Sequence, residues 1–376
     1  MFAKLQSLRQ RRTWGEELKK SLLLLTLSAF LALPMANTVL AEPTTGQLRV
    51  KTNKAKHKKT APRKNKKSAL NSKRARVAFN PNTPLRVLKV SYDDTWRDGD
   101  LDLKSAAALV VDQKSGEALY AKNVEVATPI ASITKLMTAM VTLDASLPLD
   151  EEITISGDDM DRLKGTGSRL ALGSRFTREE LLHLALIASE NRAAAALSRA
   201  YPGGRTAFVA AMNRKAAEIG MKQAHFADGT GLDSANRATA ADLVKMVDAA
   251  YHYPLIRQIS SSGSYDVTMP GRQMVRVKEN GKVRRVARNV VRHVAFNNTN
   301  SLTRSQEWEI GVSKTGYINE AGRCLVMQAS IAERKVIIVL LDSWGKWSRI
   351  GDAQRIKKWL EKDKQVASSR GHRDSA

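Results

Sequence analysis

Residues 308–342 read WEIGVSKTGYINEAGRCLVMQASIAERKVIIVLLD. Three runs rich in β-branched and apolar residues divide this segment: Trp308–Lys314, Cys324–Ala332 and Val336–Asp342. Runs of that length between polar or glycine breaks are strand signals. Only Glu333-Arg334-Lys335 separates the last two, so they pair as an antiparallel hairpin. Far upstream, Ala106–Asp112 and Ala118–Lys122 flank Lys114-Ser115-Gly116 and predict another hairpin, with Ser115 as a plain turn residue.

The stretch between these strand groups changes period. Ala131 to about Leu143 is helical. Thr177 with Glu180 forms a capping box ahead of Leu181, Leu182, Ala185 and Ile187. Pro202-Gly203-Gly204 breaks the next helix, and Ala207–Ile219 predicts another that stops at Gly220. Thr239 with Asp242 reads as a second capping box, and Pro254 ends the helix that follows. Ala353–Leu360 predicts a closing amphipathic helix. Two early strands, a helical middle and three late strands make an α+β domain, a mainly antiparallel sheet covered by helices. Cys324 is expected as a buried strand residue, and Trp344, Trp347 and Trp359 as core aromatics.

Three short motifs occur along this domain: Ser132-Ile133-Thr134-Lys135, Ser189-Glu190-Asn191 and Lys314-Thr315-Gly316. On a helix, Ser132 and Lys135 share one face a turn apart. A serine hydroxyl is a weak nucleophile and needs a base beside it. A lysine serves as that base when burial or a neighbouring cation lowers its pKa, and Lys314 is such a cation if its strand lines the same cleft. The order predicts that Ser132 sits at a helix N-terminus behind Pro129. Ser189 and Asn191 fall between two helical stretches with Glu190 turned away, and Lys314-Thr315-Gly316 ends an edge strand. There Lys314 and Thr315 suit an acidic substrate group, and Gly316 lets substrate approach the backbone. Each motif is weak alone; S-x-x-K, S-x-N and K-T-G in this order are together the penicillin-recognising serine set.

The stretches ASITKLMTAM, ALIASENRAAAALSRAYPGG, FADGTGLD, FNNTNSL and SKTGYINEAGRCLVMQAS resemble the low-molecular-mass penicillin-binding proteins. Within them the chain looks most like the D-alanyl-D-alanine endopeptidases of the penicillin-binding protein 7 type. The likeness runs from about Ala106 to Leu360. It implies a β-lactamase/transpeptidase-like fold with a helical lobe, and a serine peptidase that cuts D-Ala–diaminopimelate cross-links in peptidoglycan. By matching motif it implies Ser132 as nucleophile, Lys135 as general base and Ser189 as proton relay. Asn191, Lys314, Thr315 and Gly316 would bind substrate, and the backbone N–H groups of Ser132 and Tyr317 would form the oxyanion hole. β-Lactams would acylate Ser132. The resemblance implies no metal or organic cofactor.

Three rivals share parts of this pattern. A class A β-lactamase would carry a deacylating glutamate in the Met221–Gly231 neighbourhood, which has none; Glu218 nearby reads as a solvated helix residue. A catalytically dead wall-binding protein would have lost one of Ser132, Lys135, Ser189 or Lys314. A D-Ala-D-Ala carboxypeptidase on uncross-linked stems shares all the chemistry, and the motifs alone leave it open.

Charge completes the organisation. The 376 residues hold 62 Lys+Arg against 37 Asp+Glu, a formal charge of +25. Residues 43–92 contain 15 basic residues and no acid, while residues 93–376 hold 41 basic and 34 acidic residues, net +7. Residues 1–41 pair a basic start with the apolar run Ser21–Leu33 and Val39-Leu40-Ala41 before Glu42. That order reads as a cleaved secretory signal, which places the mature protein in the periplasm, away from nucleic acid. Residues 42–92 are expected to be a self-repelling tether with weak contact to anionic envelope polymers or membrane surface. Residues 93–364 are the catalytic domain and residues 365–376 a polar tail. The domain is expected to close soon after its last helix, without the extra β-rich domain and amphipathic anchor of related carboxypeptidases. One cysteine, Cys324, excludes a disulfide scaffold.

Overall fold

The computed structural model describes residues 87–91, 101–279 and 281–373. The expected signal segment, almost all of the basic tether and the last three residues of the expected tail lie outside the described residues. Among the described residues no helix is long and apolar enough to cross a membrane.

In chain order the strands are β1 (Ser105–Asp112), β2 (Ala118–Lys122), β3 (Thr128–Pro129), β4 (Glu152–Thr154), β5 (Arg175–Thr177), β6 (Arg237–Ala238), β7 (Ser264–Glu279), β8 (Lys282–Asn297), β9 (Glu309–Ile318), β10 (Gly322–Ile331) and β11 (Arg334–Ser343). The helices are α1 (Thr134–Asp144), α2 (Arg178–Ile187), α3 (Asn191–Arg199), α4 (Gly204–Glu218), α5 (Ala240–Tyr251), α6 (Pro254–Ser261) and α7 (Ser348–Arg373).

A five-stranded antiparallel sheet in the order β2-β1-β11-β10-β9 forms the platform. Successive side chains on a strand point to opposite faces, and the sheet buries both. Leu109, Val111, Cys324, Val326, Ile337, Val339 and Leu341 face the helical lobe. Ala108, Val110, Leu325, Met327, Ile338 and Leu340 face the layer of Ala353, Ile356 and Leu360 on α7. Burial on both faces explains why the late strands read as continuous apolar runs. The β10–β11 hairpin is tighter than expected. Ala332 and Glu333 both take positive φ, 51° and 65°, as a two-residue turn that continues strand twist requires.

The sequence reading holds for much of this frame and errs in specific places. The Thr177–Glu180 capping box forms reciprocally. Thr239 caps α5, but the Asp242 carboxylate accepts from Gln223 N instead of closing the box. Pro254 does not end α5; it opens α6, since proline suits the first turn, where its missing N–H has no partner to lose. Helix α4 starts at Gly204, earlier than Ala207, and α7 continues past Leu360 to Arg373. Cys324 is fully buried on β10, and burial pushes its thiol up to about 11. Trp344 and Trp347 are not core: they are 88% and 65% exposed on the loop before α7, and of the three only Trp359 packs against the core between the sheet and α7.

The buried Asp352 of α7 fastens that helix to the platform. Its carboxylate accepts from Lys104 N (3.0 Å), Ser105 N (2.8 Å) and Ser105 Oγ (2.6 Å), and it pairs with Arg355. Removing the carboxylate leaves buried donors unpaired. Asp352→Ala should therefore lower the free energy of unfolding by about 3 kcal/mol, read as a shift of the urea midpoint at unchanged slope.

Candidate active site

All three motifs converge where the helical lobe meets the β9 edge of the platform. Ser132 stands at the N-terminal end of a helix behind Pro129, as expected, just ahead of the first α-helical turn. It occupies a 3-10 turn, Ala131–Ile133, that leads into α1, with Ala131 at φ 48°. A left-handed alanine stores strain that the surroundings must hold. Lys135, second residue of α1, is fully buried. Its Nζ lies 2.8 Å from Ser132 Oγ, 2.8 Å from Asn191 Oδ1 and 2.6 Å from Thr230 O.

Two of those partners, an amide oxygen and a backbone carbonyl, can only accept. A neutral amine has two N–H bonds and one lone pair. The N–H bonds satisfy Asn191 and Thr230, and the lone pair is left for the Ser132 hydroxyl. Burial favours this neutral state and lowers the Lys135 pKa from 10.5 to about 7, against the opposing pull of Asp228 and Glu190.

Ser189 sits between α2 and α3 at φ 60°, and its Oγ accepts from Lys314 Nζ at 3.0 Å. Lys314 is 1% exposed, and burial together with Lys135 and Arg349 holds its pKa well below the usual lysine range. Asn191 opens α3 and donates from Nδ2 to Thr166 Oγ1 at 2.9 Å, which fixes its oxygen toward Lys135. Glu190 points elsewhere, as expected, accepting from Ser168 Oγ at 2.7 Å. Lys314, Thr315 and Gly316 lie within β9 and pair with Val326, Leu325 and Cys324. The strand is an edge, but it runs on to Ile318 and does not end at the motif. The Thr315 hydroxyl donates to Thr299 Oγ1 at 2.7 Å.

Gly316 has a packing reason that the sequence did not show. A Cβ there would stand 2.8 Å from Ile130 O and 3.2 Å from Ser132 N. The glycine lets β9 press against the Ser132 turn, so Tyr317, the next residue along β9, follows directly on that contact with the Ser132 amide.

The 228–236 loop was the part missed as a site. It supplies Thr230 O to Lys135 and is organised by one carboxylate. Asp228 accepts from Thr230 N (2.9 Å), Gly231 N (2.6 Å), Thr230 Oγ1 (2.9 Å) and Asn236 Nδ2 (2.8 Å). Gly231 has φ +79°, and a Cβ on it would lie 2.0 Å from Ala131 O. Its sequence signals were the dense D-G-T-G turn chemistry of residues 228–231 and the FADGTGLD stretch within the family resemblance.

A neutral Lys135 predicts the pH response. Acylation of Ser132 by a labelled penicillin should rise with pH through about 7 and then level off, as the amine loses its proton; a midpoint near the ordinary lysine value would contradict the assignment. Gly231→Ala should slow that acylation by about a hundredfold, because a 1 Å displacement of the nucleophile costs on that order; stopped-flow acylation of the folded variant reads it.

The family described as D-alanyl-D-alanine carboxypeptidase matches residues 94–345. A D-alanyl-D-alanine endopeptidase of Pseudomonas aeruginosa is 43% identical over 260 residues, 69% of this chain and 78% of that protein. The crystal structure of the Streptomyces K15 DD-transpeptidase superposes with a TM-score of 0.58 at 28% identity, covering 68% of this chain and 97% of that one. Penicillin-binding protein D2 of Listeria monocytogenes in its cefotaxime-bound form gives 0.56 at 26% identity, covering 69% and 98%.

Proposed function

The chain belongs to the D-alanyl-D-alanine carboxypeptidase family of serine peptidases, and on that premise we propose that it is a D-alanyl-D-alanine endopeptidase that opens peptide cross-links in peptidoglycan. The observation that carries the serine-peptidase chemistry is Lys135 Nζ held between Ser132 Oγ, Asn191 Oδ1 and Thr230 O in a buried site.

In this mechanism Ser132 Oγ attacks the carbonyl carbon of the D-alanine that donates the cross-link, and its proton passes to Lys135 Nζ. The N–H groups of Ser132 and Tyr317 stabilise the developing oxyanion. The C–N bond breaks, and the leaving diaminopimelate amine takes the proton that Lys135 gained, relayed through the Ser189 hydroxyl that Lys314 Nζ holds in place, so that Lys135 is neutral again. Water then attacks the acyl ester, with Lys135 again accepting the proton, and Ser132 is regenerated. Lys314 and Thr315 bind the substrate's carboxylate or backbone, and Asn191 orients both Lys135 and the peptide. β-Lactams acylate the same hydroxyl, a reading supported by the cefotaxime-bound relative.

The endopeptidase assignment draws on the named relative, and the P. aeruginosa protein matches over most of its own length. Export to the periplasm through residues 1–41, weak adhesion of the basic stretch 42–92 to anionic envelope polymers, and a catalytic domain over 93–364 complete the proposal. Their support is the charge and hydropathy order of the sequence.

Digestion of cross-linked diaminopimelate-type peptidoglycan by the full chain, with Ser132→Ala as control, should convert dimeric muropeptides to monomers, resolved by chromatography and mass. Release of terminal D-Ala alone would instead make the enzyme a carboxypeptidase.

A further inference from the structure

Strands β7 and β8 pair over their full sixteen residues each, from Ser264↔Asn297 to Glu279↔Lys282. Among the described residues they join no other strand. At its base the ribbon is packed: Val267, Met269 and Phe296 are buried, and Tyr265 stacks on His183 of α2 at 4.0 Å. Beyond Met269 most of its side chains are exposed. A two-stranded ribbon of this kind has little stability of its own, and its two open edges would pair with other chains unless blunted.

Its charge is one-sided. Residues 270–292 hold Arg272, Arg276, Lys278, Lys282, Arg284, Arg285, Arg288 and Arg292 against the single acid Glu279. Among the described residues none of these cations is paired with a carboxylate. Arg276 and Arg285 stand directly opposite each other, where like charges oppose pairing. Mixed charges would protect the edges without that cost.

The placement is ordered as well. Lys282, Arg284, Arg288 and Arg292 are an even number of residues apart, so they share one face of β8 and span about 33 Å. Gly271 gives Arg292 its path: a Cβ there would sit 2.3 Å from Arg292 Cδ. Four residues further, on the same face, the Arg169 guanidinium lies 3.6 Å from the centre of the Phe296 ring, and its Nη1 donates to Ala295 O at 3.0 Å. Arg169 Nε is 3.8 Å from Glu190, the middle residue of the Ser189-Glu190-Asn191 motif. Just past β8, Thr299 bonds Thr315. The cationic stripe therefore runs from the ribbon tip to the wall of the catalytic cleft.

We infer that the β7–β8 ribbon is a docking rail for the polymeric substrate, its cation stripe gripping the free carboxylates of successive peptidoglycan stem peptides while one cross-link occupies the cleft. The inference rests on the peptidoglycan reading above. A stripe this long suits a polymer with repeated negative charge, since a small ligand would meet only one or two of its cations. Contacts between exposed charges are weak singly and screened by salt, which suits an enzyme that must move between sites.

The test is cosedimentation of the full chain with purified, insoluble peptidoglycan. It is done in a Ser132→Ala background, so binding is read without turnover and stands apart from failure of the digestion above. Arg284→Gln, Arg288→Gln and Arg292→Gln together should weaken binding by about tenfold at about 50 mM salt, with the difference lost at about 500 mM. Lysine at the same three positions should retain binding, because charge and not guanidinium geometry is required, and an unchanged thermal midpoint shows each set is folded. Amidating the polymer's carboxylates should abolish the difference. Equal binding by the glutamine set and the parent chain would overturn the inference. So would a loss seen only on phosphatidylglycerol vesicles, which would make the ribbon a membrane contact.

Discussion

The site depends on one buried amine. Lys135 is fully buried, so its protonation state is set by what the fold places around it. Three separate parts of the chain meet there: the turn before α1, the start of α3 and the loop at Thr230. With a folded pKa of about 7 against 10.5 for a free lysine, the unfolded chain binds the extra proton between those values. Stability therefore rises with pH across that window, and at neutral pH the burial costs roughly 4 kcal/mol. Lys314, also buried and also depressed, adds to that cost. Two lysines held this way cost stability, and the stability that tolerates them comes from the cores on the two faces of the sheet.

Position is maintained by strain that neighbours hold in place. Ala131 and Ser189 both take left-handed backbone angles without being glycine. The first is wedged between Gly231 and Gly316, each of which has no room for a side chain. The second is followed by Glu190, whose carboxylate is anchored by Ser168 and by Arg169. The Asp228 carboxylate fixes the loop that carries Thr230 and Gly231 through five hydrogen bonds. None of these groups reacts. They decide where the reacting groups stand.

Electrostatics divides the molecule by function. Inside the cleft, two amines are pressed toward neutrality by burial. Outside it, the ribbon holds most of its cations exposed to solvent. The net charge of +7 over residues 93–376 hides this division, because most of the excess stands on one projecting hairpin.

The sequence by itself determined the strand platform, most of the helices and every member of the three motifs. Apolar periodicity, capping chemistry and i, i+3 spacing are local properties that survive without a partner. It also carried the pairing of Ser132 with Lys135, because the two lie three residues apart at the start of one helix. What only the tertiary structure decided was non-local. Thr230 reaches Lys135 from 95 residues away, and a backbone carbonyl leaves no mark on residue identity. Gly231 and Gly316 matter for what they press against. The β7–β8 ribbon was illegible because Pro270-Gly271 and dense arginine look like a loop until two such segments pair. Trp344 and Trp347 proved exposed because the chain turns at Gly345 before α7, and an aromatic is buried only where another surface is brought over it.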